Sequence, residues 1–241
     1  MEQKLYDSYV DILREELVPA MGCTEPIAVA YGGALARKTL GRMPERVALT
    51  VSGNIIKNVK SVIVPHTGGR KGLRTAVAIG ICCGDADREL EVISGVTEEG
   101  CHRMDAFLNS AEIVLRESDS RCPFDIQVSL QAGEDTSFVR ILGHHTNVVR
   151  VERNGEVLLN KPFAEEGAQA PENRQLLTVE QIVAFADTVR LEDVRPILKR
   201  QIDYNMSIAQ AGLRERYGAG IGGILLRSYG NSVQNRAKAW A

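Results

Sequence analysis

An α+β fold is predicted: N-terminal helices, a mixed sheet with an antiparallel meander, then a C-terminal helical segment. Three observations predict it. Apolar residues recur at helical spacing near both ends of the chain, and period-two alternation fills most of residues 111–160. The two patterns are also segregated along the chain, whereas a wound parallel sheet would alternate them.

The elements follow in order. Leu5, Tyr9, Ile12, Leu13 and Leu17 give an amphipathic first helix from residue 3 to about 17, closed by Pro19. Thr24 suits an N-cap and Pro26 a first turn, so "IAVAYGGALARKTLG" reads as a second helix, apolar on nearly all sides and stopped by Gly41. "RVALTVSG" and "KSVIVP" read as strands, and "GLRTAVAIGICCG" as a small-residue helix ending at Gly84. "LEVISGV" reads as a strand, and Thr97 caps a helix running to about Ser110. Four strand-like runs follow, the last split by a hairpin at Asn154-Gly155. From Thr178 onward the periodicity is helical, with Pro196 marking a start or a kink.

These patterns divide the chain into three segments. Residues 1–45 are a helical segment expected to pack with the C-terminal helices, 46–162 an α/β sheet domain, and 178–241 a helical segment read as the truncated start of a larger helical domain. The polar, Pro-containing stretch 161–177 is the linker candidate. The last residues, "NSVQNRAKAWA", carry no helix stop signal, which adds to the expectation of truncation.

With 241 residues the chain can bury a real core. Its 29 Lys plus Arg against 31 Asp plus Glu are dispersed, so no basic face for nucleic acid is expected, and aromatics are too few for a base-stacking platform. The start, "MEQKLYDSYV", is unlike a signal peptide, and no run approaches membrane-spanning length. A cytoplasmic protein without membrane partners is expected. Five cysteines, Cys23, Cys82, Cys83, Cys101 and Cys122, include no C-x-x-C pair and are an odd count for a disulfide framework.

Cys23, in "VPAMGCTEPIAVAYGG", precedes a helix N-terminus, where the helix dipole lowers a thiol pKa and favours the thiolate that binds metal or attacks electrophiles. The alternative is a small thiol packed where helices meet. Ser52, Asn54, Lys57 and Asn58 lie in what reads as a turn after a strand, where amide and ammonium donors suit a carboxylate ligand; an ordinary hairpin turn is the other reading. "PHTGGRKG" is a polar loop before a helix, a place for an anion or simply a connection. In "GHHTNVV" two adjacent histidines point to opposite faces, so at most one serves a given site. "GAGIGG" matches a dinucleotide pattern but follows a helical run instead of a strand, so it is read as a decoy.

"MGCTEPIAVA" (21–30), "SGNIIKN" (52–58) and "HTNVVRVERNGE" (145–156) occur in this order in the serine dehydratase-like alpha-chain family, which includes L-cysteine desulfidases and which the chain resembles from end to end. The resemblance implies a lyase independent of pyridoxal phosphate that converts L-cysteine or L-serine to pyruvate, ammonia and sulfide or water. It implies a [4Fe-4S] cluster held by three cysteines, its open iron acting as Lewis acid on the amino acid. Cys23 would be the N-terminal ligand, while Cys82, Cys83, Cys101 and Cys122 match no ligand position of that family. Asn54, Lys57 and their neighbours would orient the small amino-acid substrate. Two functions are therefore expected: the N-terminal part of such a lyase, or a truncated, non-catalytic fragment that binds an amino acid or only self-associates. The partner expected in either case is another copy of the chain, as a homo-oligomer, or a missing C-terminal half.

Overall fold

The computed structural model describes residues 1–162, 172–215, 218–230, 232, 234 and 236. It is α+β as expected. Six strands, β1 (Arg46–Val51), β2 (Glu112–Glu117), β3 (Asp125–Ala132), β4 (Asp135–Leu142), β5 (Val148–Arg153) and β6 (Glu156–Asn160), form one sheet in the order β2-β1-β3-β4-β5-β6. β2 runs parallel to β1, and every other pairing is antiparallel. Asn154 and Gly155 both have positive φ (51° and 82°), the backbone that an Asn-Gly hairpin turn demands.

The chain forms two compact units, Pro19–Ala168 and Met1–Val18 with Gln169–Ala241. This division falls inside the predicted segment 1–45. The first unit holds the sheet together with α2 (Thr24–Leu40), α3 (Gly53–Val59), α4 (Gly72–Cys83) and α5 (Glu98–Ser110). Alternation turns Val47, Leu49 and Val51 of β1 inward, along with Ile126, Val128 and Leu130 of β3, and all are buried. α2 lies on this face: a Cβ added at Gly32 would sit 3.2 Å from the Val128 side chain and 3.5 Å from Ile141. α2 and α4 cross at very short range. A Cβ at Gly80 would be 2.0 Å from the Ala30 carbonyl oxygen, and one at Gly33 would be 2.8 Å from the Val77 oxygen. Such an approach is open only to glycine.

Three local expectations are corrected. "SGNIIKN" is a helix, α3, because Ile55 and Val59 lie one turn apart and are both fully buried. "KSVIVP" makes only an isolated bridge, Ile63 to Lys71, since Lys60 to Ser61 already turn the chain out of α3. "LEVISGV" is not a strand either: it runs from a 3-10 turn (Ala86–Glu91) into further turns, with Leu90, Val92 and Ile93 buried. In the second case the apolar residues are buried from irregular backbone; in the first only Val64 is buried, and Ile63 is exposed.

The second unit is helical, with α1 (Gln3–Glu16), α6 (Glu172–Gln175), α7 (Val179–Thr188), α8 (Leu191–Arg214) and α9 (Ile221–Tyr229). The Phe185 ring packs 5.5 Å from Tyr6 and 5.2 Å from Tyr9. Tyr6 Oη donates to Asp193 (2.6 Å) and Tyr9 Oη to the Leu176 carbonyl (2.9 Å), so both phenols pack their rings and satisfy their hydroxyls. Pro196 lies inside α8, neither opening nor ending it. Most of the predicted linker and of the C-terminal "NSVQNRAKAWA" lies outside the described residues. No described helix is long and apolar enough to cross a membrane.

The α2–α4 crossing yields a stability prediction. Gly80→Ala forces the two backbones apart and costs on the order of 3 kcal/mol, at the upper end for overpacked cores. Urea denaturation measures it, and a midpoint equal to the parent's would show that the crossing is slack.

Candidate functional site

Side chains from three separated segments meet at the start of α2. Gly22, at φ 133°, turns the chain into the helix, and a Cβ there would meet the Pro65 ring at 3.5 Å, so the loop before α4 borders the same mouth. Cys23 is the N-cap residue and makes no side-chain cap. Glu25 follows in the first turn, where the helix dipole favours a carboxylate. The Cys23 thiol donates to Glu25 Oε2 (3.2 Å), and Asn58 of α3 donates its amide N–H to Glu25 Oε1 (3.2 Å). His145, from the turn between β4 and β5, is half-buried with its ring edge-on to Phe124 at 4.6 Å.

The electrostatics follow from this packing. Burial alone would raise the Glu25 pKa, but hydrogen bonds from Cys23, from its own backbone N–H and from Asn58, with the charge of His145, outweigh it and bring the carboxyl below its usual range. Burial first, and then the hydrogen bond and charge of Glu25, push the Cys23 thiol up. This corrects the expectation of a dipole-activated thiolate: burial, and then Glu25 at the positive end of the helix, keep the proton on sulfur. Burial lowers the His145 pKa, with Glu25 opposing, so near neutral pH the imidazole is mainly uncharged.

Of the residues singled out in the sequence, the fold brings Cys23 and Asn58 together through Glu25. Asn54 and Lys57 are exposed on α3, and Asn54 lies one turn before Asn58 on the same helix face. Ser52 is buried, its hydroxyl donating to the Pro123 carbonyl (2.7 Å) and its N–H to that of Asp125 (2.9 Å), so it anchors α3 to the sheet. The loop at 65–72 is tied internally: Thr67 Oγ1 donates to the Val64 carbonyl (2.7 Å), and Arg70 pairs with Asp105. "GAGIGG" follows α8 and runs into the first turn of α9, with positive φ at Gly218 and Gly220, the setting of a helix break.

Glu25 is the site residue that the sequence reading missed, and His145 is one that it raised without assigning to this site. Glu25 had a local signal, an acid in the first turn directly after an exposed cysteine. His145 is one of the two adjacent histidines in "GHHTNVV", but its place beside α2 had no local signal, because only the strand register carries it there.

The remaining cysteines do not converge on Cys23. Cys101 is buried and donates to the His66 carbonyl (3.1 Å), and Cys122 is buried and donates to that of Phe124 (3.3 Å). Cys83 donates to Gly100 O (3.5 Å), and burial pushes the neighbouring Cys82 thiol up to about 12. Among the described residues no group of three or more His, Cys, Asp or Glu side chains could hold a metal ion. Among the described residues, no three cysteines of this chain come together.

The mouth yields a reactivity prediction. Glu25→Gln removes the charge that holds the proton on sulfur, so Cys23 alkylation by iodoacetamide at mildly alkaline pH speeds up. Mass spectrometry of the labelled peptide measures the rate, and an unchanged or slower rate in the variant would show that Glu25 does not control the thiol.

Comparison with known proteins corrects the function read from the sequence. The chain is 46% identical over 240 residues to a UPF0597 protein of Desulfitobacterium hafniense, an alignment covering 100% of this chain and 56% of that relative. It is 42% identical over 228 residues to a UPF0597 protein of Treponema denticola (94% and 53%), and 42% over 235 residues to one of Lachnoclostridium phytofermentans (98% and 56%). No family model and no solved structure matches. The relatives carry no lyase or iron–sulfur name, so the identification with the serine dehydratase-like family is overturned. The L-cysteine desulfidase activity, and the alternative of a non-catalytic fragment of such a lyase, rested on that identification and fall with it. What stands is similarity along essentially the whole chain to proteins named UPF0597 protein, of whose length the chain spans about half.

Proposed function

We propose that the mouth at the start of α2 binds a small zwitterion of the amino-acid class. The observation that carries this reading is Glu25: a half-buried carboxylate kept ionised and aimed by donors on both oxygens, Cys23 and Thr24 on Oε2 and Asn58 on Oε1. Such a group recognises an ammonium through charge-assisted hydrogen bonds. The ligand's carboxylate is assigned to Lys57 and Asn54, the exposed cation and amide on the helix that carries Asn58. Pro26 lacks an N–H and Glu25 uses its own, so the first turn of α2 offers the carboxylate little and α3 is the better partner. The protonated Cys23 thiol and neutral His145 border the ligand's side chain, as a donor and as a ring edge. Five free thiols fit a reducing compartment, which supports placing the protein in the cytoplasm.

Isothermal titration with L-serine, L-cysteine and L-alanine tests the reading, with ethanolamine and N-acetyl-L-serine as partners lacking one charge each. The full zwitterions bind, both controls bind more weakly, and Glu25→Gln weakens the zwitterions roughly tenfold or more, the scale of one lost charge-assisted hydrogen bond. Equal affinity for the zwitterions and the N-acetyl compound, or full affinity in the Glu25→Gln variant, would remove the basis for the proposal.

A further inference from the structure

We propose that the sheet face turned away from α2 carries a second, independent small-molecule site, for a planar aromatic or heteroaromatic carboxylate. Alternation sends Val47, Leu49, Val128 and Val139 into the core beneath α2, so the residues between them point to the opposite face. There the register aligns Val114 of β2, Ala48 of β1, Ser129 of β3 and Phe138 of β4 in a single cross-strand row. Two small side chains stand between two bulky ones. With strands about 4.8 Å apart, Val114 and Phe138 are separated by roughly 14 Å at the backbone, and Ala48 and Ser129 form a low floor between them. The result is a notch of about 450 Å³, within the range of small-molecule sites.

Its lining selects the ligand. Phe138, partly exposed, offers a ring wall for offset or edge stacking, and Val114 offers an apolar wall opposite. The Ser129 hydroxyl at the floor has no partner among the described residues. The rim charges are mostly neutralised in pairs: Arg46 with Glu112 at 3.0 Å, and Glu152 with Arg150. Arg116 is the exception. It stands two residues along β2 from Val114, on the same sheet face, with no acidic partner among the described residues. The charge left for a ligand at this rim is therefore positive, and a guanidinium fork matches a carboxylate in two parallel hydrogen bonds. A flat ring on Ala48 and Ser129, held between Phe138 and Val114 with its carboxylate on Arg116, satisfies all four features. The notch shares no residue with the mouth at Cys23.

Saturation-transfer NMR and isothermal titration with nicotinate and benzoate test it, with nicotinamide and benzamide as uncharged counterparts. The acids bind and the amides bind at least about tenfold more weakly, the ratio expected when one charge-assisted contact is lost. Arg116→Gln, an exposed substitution, brings the acids down to the affinity of the amides. Ala48→Leu fills the floor and abolishes binding of all four, while Glu25→Gln leaves acid binding unchanged. No binding at millimolar concentrations, equal affinity for acids and amides, or loss of acid binding in the Glu25→Gln variant would overturn the proposal. So would sedimentation showing a dimer that Ala48→Leu dissociates, since the notch would then be a contact between copies.

Discussion

Glycine at position 80 lets the backbone of α4 touch that of α2, and the arrangement of the larger unit depends on that contact. With the Ala30 carbonyl where a Gly80 side chain would be, and Val77 O close above Gly33, the two helices pack as a pair of backbones in place of two side-chain layers. α2 in turn lies on the inward face of β3 and β4, where Gly32 meets Val128 and Ile141. α2 is thereby buried on almost every side, from Pro26 to Ala36, and its direction along the sheet is set. Its N-terminus comes to rest where β3 begins and β4 ends, which is why Cys23 and Glu25 find His145 and Phe124 nearby.

The start of β3 is the other fixed point. Asp125 is fully buried and ionisable, a costly combination unless the carboxylate is fully paired. Here it accepts from Arg140 Nε and Nη2 (3.0 and 3.1 Å), Ser118 (2.7 Å) and Gln127 (3.0 Å). Its backbone carbonyl accepts from Ser52, so the same residue locks β3 to β4 and anchors the helix that carries Asn58. The polar network fixes the site without lying in it.

At the mouth itself, charge is distributed for recognition more than for attack. A thiol at a helix N-terminus is ordinarily activated, but here burial, and then an acid two residues later that takes the positive end of the dipole, reverse the effect. Glu25 is thus ionised by its hydrogen-bond donors, Cys23 protonated by burial first and then by Glu25, and His145 mainly neutral by burial against the pull of Glu25. The exposed row on the far side of the sheet obeys a different logic, in which shape comes from the sizes of paired side chains and selectivity from a single uncompensated arginine.

Much of the architecture is legible from the amino-acid order, because it is encoded locally. Periodicity locates α1, α2, α4 and α5; Gly41, Gly84 and Thr97 mark their ends; and Asn154-Gly155 specifies its own hairpin. Local pattern fails where burial is irregular: α3 reads as a turn, and the segments at 60–65 and 90–96 as strands, since short apolar runs look alike whichever backbone buries them. Cys23 and Asn58 stand out as single residues, yet what joins them is Glu25, and the helix dipole predicts the wrong charge for Cys23 when it is weighed without the carboxylate that meets it. Local pattern in the amino-acid order is enough for most of the helices and for the antiparallel strands, and it singles out Cys23 and Asn58 as residues that carry chemistry. Which of them meet, and in which protonation state, comes from packing, because a pKa depends on neighbours brought from distant parts of the chain and on the water they exclude.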